Sequence, residues 1–161
     1  MAGPRVSIQT ADFDVGAELE ALRRNDHRVG AVCSFVGTVR GAQGEVLSME
    51  LEHYPGMTER AIEAMIDEAQ RRFDIFAARV VHRVGLLMPG DQIVLAAVTS
   101  SHRGQSFQAC EFLMDYLKTQ APFWKKERTP RGEQWVDARV SDDAALARWG
   151  IRAGNAPITK V

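Results

Sequence analysis

Between Lys118 and Arg131 the chain carries five basic side chains, Lys118, Lys125, Lys126, Arg128 and Arg131, against a single carboxylate, Glu127. Cations gathered in this way can bind an anion. A lysine weakened as a cation by its neighbours and by desolvation can also serve as nucleophile or general base. The plainer reading is a solvated basic face. Lys118 argues for more, because it follows Leu117 and lies four residues after Met114, so it borders an apolar stripe and its stem is partly packed. Two effects act on its charge in opposite senses. The last turn of a helix favours a cation by about 0.3–1 kcal/mol and raises the pKa, whereas adjacent cations and desolvation lower it from ~10.4. Phe123 and Trp124 lead into Lys125 and Lys126, which strand alternation sends to opposite faces. Only one of them can line a given pocket, and propensity does not choose between them.

Two further stretches could hold an anion. In Thr99-Ser-Ser-His-Arg-Gly104 a strand runs into a helix, whose free backbone N–H groups, with His102, Arg103 and a small Gly104, suit a phosphate or carboxylate. In Gly37-Thr-Val-Arg40-Gly41 a strand ends on an arginine able to clamp a phosphate with two parallel hydrogen bonds. Arg139, near the end of the last expected strand, is a similar and weaker candidate. Each signal alone is weak, since basic residues at strand ends are common. His53 and His82 read as structural. Cys33 and Cys110 lie far apart in apolar surroundings and read as core thiols. No Ser-His-Asp pattern, phosphate-binding P-loop or dinucleotide fingerprint is present. The expected site is a cationic pocket acting on an anion without metal or redox cofactor.

The elements that must position these groups follow from periodicity. Arg5 to Thr10 alternates as a strand, and Val15 to Arg24 has helical spacing behind an Asp14 cap. Gly30 to Val39 and Val46 to His53 read as two strands forming a hairpin through Gly41–Gly44. Thr58 is expected to cap a helix with Ala61, Ile62, Met65, Ile66, Ala69 and Phe73 on one face. Strands Ala77 to Val84 and Gln92 to Ser100 flank a Met88–Asp91 turn and should be antiparallel. A helix from Gly104 to Gln120 ends because Pro122 disfavours the α conformation at Ala121. Strands Phe123 to Thr129 and Gln134 to Val140 follow, then a short Ser141-capped helix to Gly150 and a loosely held tail. Mixed elements with short antiparallel connections indicate one α+β domain, residues 1–150, with a tail at 151–161.

Composition narrows the field. The 161 residues are 45% hydrophobic and 25% charged, with a net charge of -1. This is the composition of a folded domain with no global field for nucleic acid or anionic membrane. The longest apolar run, Ile93 to Val98, falls far short of the ~18 residues that span a bilayer. With few cysteines and no export signal at the start, the cytoplasm is the expected compartment.

Read together, several motifs resemble one family in wording and order. They are Phe35-Val-Gly-Thr-Val-Arg40, Leu51-Glu-His-Tyr-Pro-Gly-Met-Thr58, His82-Arg-Val-Gly85, Pro89-Gly-Asp91, Thr99-Ser-Ser-His-Arg103 and Met114-Asp-Tyr-Leu-Lys-Thr-Gln-Ala-Pro-Phe-Trp-Lys-Lys126. From about Ala31 to Trp149 the chain resembles the large, catalytic subunit of molybdopterin synthase. The resemblance implies an α/β hammerhead fold with an additional antiparallel sheet. It implies that sulfur from the thiocarboxylated C-terminal glycine of a small ubiquitin-like subunit is installed on cyclic pyranopterin monophosphate as a dithiolene. It implies a homodimer of large subunits at the centre of a heterotetramer.

By position, Lys118 and Lys125 match the family's catalytic lysines, which selects Lys125 over Lys126. Thr38, Val39, Arg40, His102, Arg103, Lys126 and Glu127 match its substrate-contacting positions. Arg139 matches a pocket arginine that the neighbouring large subunit can contribute. The rival reading is a non-catalytic module that docks a ubiquitin-like tail or a phosphorylated ligand in the same pocket. A phosphate-ester hydrolase is disfavoured for want of a metal-ligand set or an activated Ser or Cys.

Overall fold

The computed structural model describes residues 4–136 and 147–150. At its centre lies β6 (Gln92–Ser100), in which every residue from Val94 to Ser100 is buried. That is the state of a strand covered by layers on both faces. β4 (Ile75–Arg83) runs antiparallel along one side with Val80 opposite Ala96. β2 (Ala31–Thr38) runs antiparallel along the other with Phe35 opposite Ala96. β1 (Val6–Gln9) adds parallel to β4, so the order is β1-β4-β6-β2 and β2 is an edge strand.

Helices cover both faces of this sheet. α1 (Val15–Arg23) starts on Asp14, whose Oδ1 accepts from the Ala17 N–H at 3.0 Å, as its sequence predicts. Its Val15, Leu19 and Leu22 pack on Phe13, Val81, Leu95 and Ala97. On the other face α2 (Met57–Arg72) and α3 (Arg103–Gln120) bury Ile62, Met65, Ile66, Phe112 and Leu113 against Val80, Ala96 and Val98. Each such fully buried large side chain contributes about 1.5–3 kcal/mol.

The start of α2 differs from expectation. Gly56, at φ 84°, is the N-cap, and its N–H donates to Glu59 Oε2 at 3.0 Å. A glycine is required there because other residues rarely adopt that dihedral. Thr58 is thereby not the cap. It is fully buried and bonds elsewhere, as described below.

A second, wholly antiparallel sheet has the order β5-β3-β7-β8, formed by β3 (Ser48–His53), β5 (Gly85–Leu87), β7 (Phe123–Thr129) and β8 (Gly132–Val136). The architecture is therefore α+β, an α/β layer with an added antiparallel sheet. The expected β2–β3 hairpin does not form, because β2 pairs with β6 and β3 with β5 and β7. Their connection crosses between sheets through a short 3-10 turn, Ala42–Gly44. Gly41 lies so close to Pro89 that a Cβ there would sit 2.6 Å from the Pro89 ring. The connection thus packs on the β5–β6 turn instead of closing a hairpin.

β8 starts two residues before the expected Gln134. The expected continuation over 137–140, most of the Ser141 helix and the 151–161 tail lie outside the described residues. Trp149 docks edge-on to Phe73 and Phe112, with ring centroids 5.7 and 5.5 Å away. Among the described residues no helix is long and apolar enough to cross a membrane.

Candidate active site

α3 carries candidate residues at both of its ends. At its start the Thr99 and Ser100 side chains are buried and spent on the backbone. Thr99 Oγ1 accepts from the Ala77 N–H at 3.1 Å, and Ser100 Oγ donates to the His102 carbonyl at 2.6 Å. These bonds fix the strand-to-helix turn while leaving His102, Arg103 and Gly104 exposed. A Cβ on Gly104 would meet nothing within 4 Å, so this helix start is open to an approaching anion.

Lys118 occupies the other end, in the last turn. A rise of 1.5 Å per residue sets it about 22 Å along the axis from Arg103. Within one chain, His102 and Arg103 cannot share a phosphate with Lys118.

Lys118 is exposed and lines an open groove of about 370 Å³ between α3 and the edge strand β2, with Ser34 and Phe35 on one wall and Phe107, Glu111 and Asp115 on the other. Among the described residues its amine makes no hydrogen bond or ion pair. Cys33 and Cys110 also line this groove and, though remote in sequence, lie side by side. Burial, then the neighbouring Cys33, pushes the Cys110 thiol up to about 12. A protonated, buried thiol is a poor nucleophile, consistent with the core role expected for Cys110, whereas Cys33 is half-buried at the groove.

The turn from α3 into β7 is fastened from outside. Thr58 Oγ1 donates to the Pro122 carbonyl at 2.9 Å and accepts from the Tyr54 N–H at 2.9 Å. Beyond the turn, strand alternation separates the two lysines as expected. Lys125 is opposite Leu51, on the face whose β3 residues Met49 and Leu51 are buried, and its Nζ lies 3.7 Å from Glu127 Oε1. Lys126 projects from the other face. There it meets Glu133 at 3.0 Å and lies 5.7 Å over the Trp135 ring. The hydrogen bond to Glu133, then that carboxylate's charge, raises its pKa. Lys126 is thus held as an ammonium.

Thr38 closes β2, and Val39 is buried in the cluster with Met49, Leu51 and Leu87. Val39 donates its N–H to the Asp91 carbonyl at 2.9 Å and accepts at its own carbonyl from Gly90 at 2.8 Å. These bonds fix the backbone that presents the exposed Arg40. The same buried cluster joins Val39 to Leu51, the cross-strand neighbour of Lys125. Arg139 lies outside the described residues.

His82, on β4, and His53, on β3, both face neighbouring side chains. His82 is buried and stacks on Phe123 at 3.9 Å between centroids. Its Nδ1–H donates to the Arg83 carbonyl at 2.8 Å, the only sense that a carbonyl partner allows. Burial above all pulls its pKa down to about 4. His53 Nε2 lies 3.8 Å from Glu59 Oε1.

Among the described residues no three His, Cys, Asp or Glu side chains gather to hold a metal ion. A roomier hollow of about 560 Å³ at the end of α1, lined by residues such as Arg23, Asp26 and His27, contains none of the candidate residues. Sequence reasoning overlooked Phe35, Glu111 and Asp115. The carboxylates had a signal in their helical spacing of seven and three residues before Lys118; Phe35 had none, because its exposure depends on β2 being an edge.

The two-sheet α+β scaffold thus presents the Lys118 amine in an open groove, with Lys125 beyond one fastened turn. The family model described as MoaE protein matches residues 8–120, more than half of the chain. The chain is 59% identical over 155 residues to a molybdopterin synthase catalytic subunit of Ralstonia nicotianae, covering 95% of this chain and 88% of that one. It superposes with a TM-score of 0.80 on a molybdopterin biosynthesis MoaE protein from Burkholderia ambifaria at 60% identity, covering 91% of this chain and 98% of that one. A molybdopterin synthase from Staphylococcus aureus gives a TM-score of 0.75 at 29% identity, covering 83% and 98%. The chain belongs to the MoaE family of molybdopterin synthase catalytic subunits.

Proposed function

We propose that this chain catalyses sulfur transfer from the thiocarboxylated C-terminal glycine of a small ubiquitin-like subunit to cyclic pyranopterin monophosphate, forming the molybdopterin dithiolene. The observation that carries the residue assignment is the Lys118 amine, free of partners among the described residues and standing in an open groove on a rigid last turn. Such an amine can serve as general acid or base, or form a transient covalent adduct; a positioned acid or base group contributes about 10²–10⁴ in rate. Lys125, steadied by Glu127, stabilises negative charge that develops as the sulfur attacks. Arg40 and Thr38 contact the anionic substrate, while Val39, buried and with both backbone groups engaged, fixes the backbone between them. Lys126, on the opposite face, acts through the strand rather than through the groove.

His102 and Arg103 enter the site from a second copy of the chain, because their distance along α3 excludes them from the Lys118 groove of their own chain. Arg139 completes the cationic set from the same or the neighbouring subunit. The assembly is a homodimer of these subunits within a heterotetramer, working in the cytoplasm. The partner supplies the sulfur, which leaves no reacting role for Cys33 or Cys110.

The test is to incubate the purified chain with thiocarboxylated small subunit and cyclic pterin, and to follow the dithiolene product by mass spectrometry. Product from the unchanged chain, and none from a Lys118→Ala chain that still binds both reactants, supports the assignment. Binding without product from the unchanged chain would instead identify a docking module.

A further inference from the structure

The carboxylate nearest to Lys118 on α3 is already engaged. Asp115 and Lys118 are three residues apart, the spacing at which opposite charges meet on a helix surface, and both line the groove. Yet Asp115 Oδ2 accepts the indole Nε1–H of Trp149 at 2.8 Å and lies 3.3 Å from Arg148 Nη2. Arg148 also lies 3.5 Å from Glu111, the groove's other carboxylate. Trp149 is held in turn by Phe73 and Phe112 and by Arg72, whose Nη1 donates to its carbonyl at 2.6 Å.

We propose that Trp149 and Arg148 hold the Asp115 carboxylate away from Lys118, making Asp115, Arg148 and Trp149 positioning residues that keep the lysine amine free to transfer a proton or attack. The inference rests on the catalytic reading of Lys118. Its physical basis is competition for one carboxylate. An oxygen that takes an indole hydrogen bond and faces a guanidinium has less to offer an ammonium. The charged and titratable groups lining the groove around Lys118 are Glu111, Asp115 and Cys110 on α3 and Cys33 on β2, with Arg148 set against the two carboxylates. Trp149 and Arg148 decide how much of that negative charge the lysine meets. The contact also spans 34 residues of sequence, linking the catalytic helix to the segment after β8.

Trp149→Phe keeps the ring packing and removes the donor. The direct readout is the titration of the Lys118 amine, followed by NMR in chain carrying labelled lysine. The expected result is a midpoint about half a pH unit higher than in the unchanged chain, restored by adding Asp115→Asn. In synthase assays kcat/KM then falls about threefold at neutral pH and recovers as the pH rises, since half a unit is that factor in neutral amine. Arg148→Gln, on the surface, should move the midpoint in the same sense and serves if Trp149→Phe does not fold. An unmoved Lys118 midpoint in a folded variant, with only the melting temperature lowered, overturns the inference. A moved midpoint with an unmoved activity profile upholds the positioning and refutes the catalytic use of Lys118, so the two failures are distinguishable.

Discussion

Thr58 and Pro122, 64 residues apart in sequence, are joined by a 2.9 Å hydrogen bond from the threonine hydroxyl to the proline carbonyl. Proline has no N–H of its own, and its fixed φ makes the turn after α3 stiff but not anchored. The anchor is Thr58, fully buried at the start of α2. Through it, one residue sets the relation between the helix that carries Lys118 and the strand that carries Lys125.

Thr58→Val preserves shape and removes both the donor to Pro122 and the acceptor for the Tyr54 N–H. Leaving those partly buried backbone groups without a protein partner should lower stability by about 1 kcal/mol. Urea unfolding followed by circular dichroism measures this. The loss of synthase activity should exceed the unfolded fraction, because the two lysines lose their fixed relation.

Lys118→Ala should reduce product formation by about 10²–10⁴ with little change in substrate or partner affinity. Lys118→Arg keeps a cation but not a neutral amine at working pH, so it should not restore the rate. Single-turnover product formation beside equilibrium binding separates the two quantities.

The neighbouring lysines should part company. Lys125→Ala lies on the inward face and should depress kcat, whereas Lys126→Ala breaks the Glu133 pair on the far face and should cost less than tenfold. Comparable losses in steady-state assays of the two variants would show that facing does not decide their use.

His82 sets an acid limit to stability. Its pKa is about 4 in the folded chain against 6.5 for the free side chain, so between these values the unfolded chain binds more protons and stability must rise with pH. Full stability from this group is present above pH 6.5 and is lost as the pH falls towards 4, a change on the order of 3 kcal/mol. His82→Gln should flatten that part of the stability curve, as read by denaturant midpoints across the window.

A mixed dimer tests the shared site. A chain carrying Lys118→Ala and one carrying Arg103→Ala, each inactive alone, should regain about a quarter of full activity when refolded together, because half of the dimers are hybrids with one intact site. No regain would overturn the shared site, leaving Arg103 to act within its own chain.

Much of the fold was legible because its signals are local. The Asp14 cap, the apolar stripe of α2, the end of α3 before Pro122 and the antiparallel pairing of β4 with β6 all rest on residues close in sequence. The failures are of partnership. Gly30 to Val39 reads as a largely apolar strand, and nothing local says that β2 pairs with β6 while β3 joins another sheet. Glycine at positions 41 and 56 carried conformational meaning that the pattern of apolar residues could not convey. For the site, parity placed Lys125 and Lys126 on opposite faces, and the separation of His102 and Arg103 from Lys118 is already implied by the expected Gly104–Gln120 helix, which α3 matches. The contact of Trp149 with Asp115 had no sequence signal, since both residues are ordinary members of amphipathic segments.

That length of α3 imposes a rule on tolerated change. Each residue of a helix turns the remainder by about 100°. One inserted or deleted residue between Ser106 and Met114 would swing Lys118 off the β2 groove while leaving Arg103 where it is. Substitutions along the exposed face alter the surface by degrees, whereas changes of length act in discrete angular steps. A nearby return to register requires a gain or loss of three or four residues together, and even that shifts the lysine by about 5 Å along the groove. The helix therefore works as a vernier between its two ends.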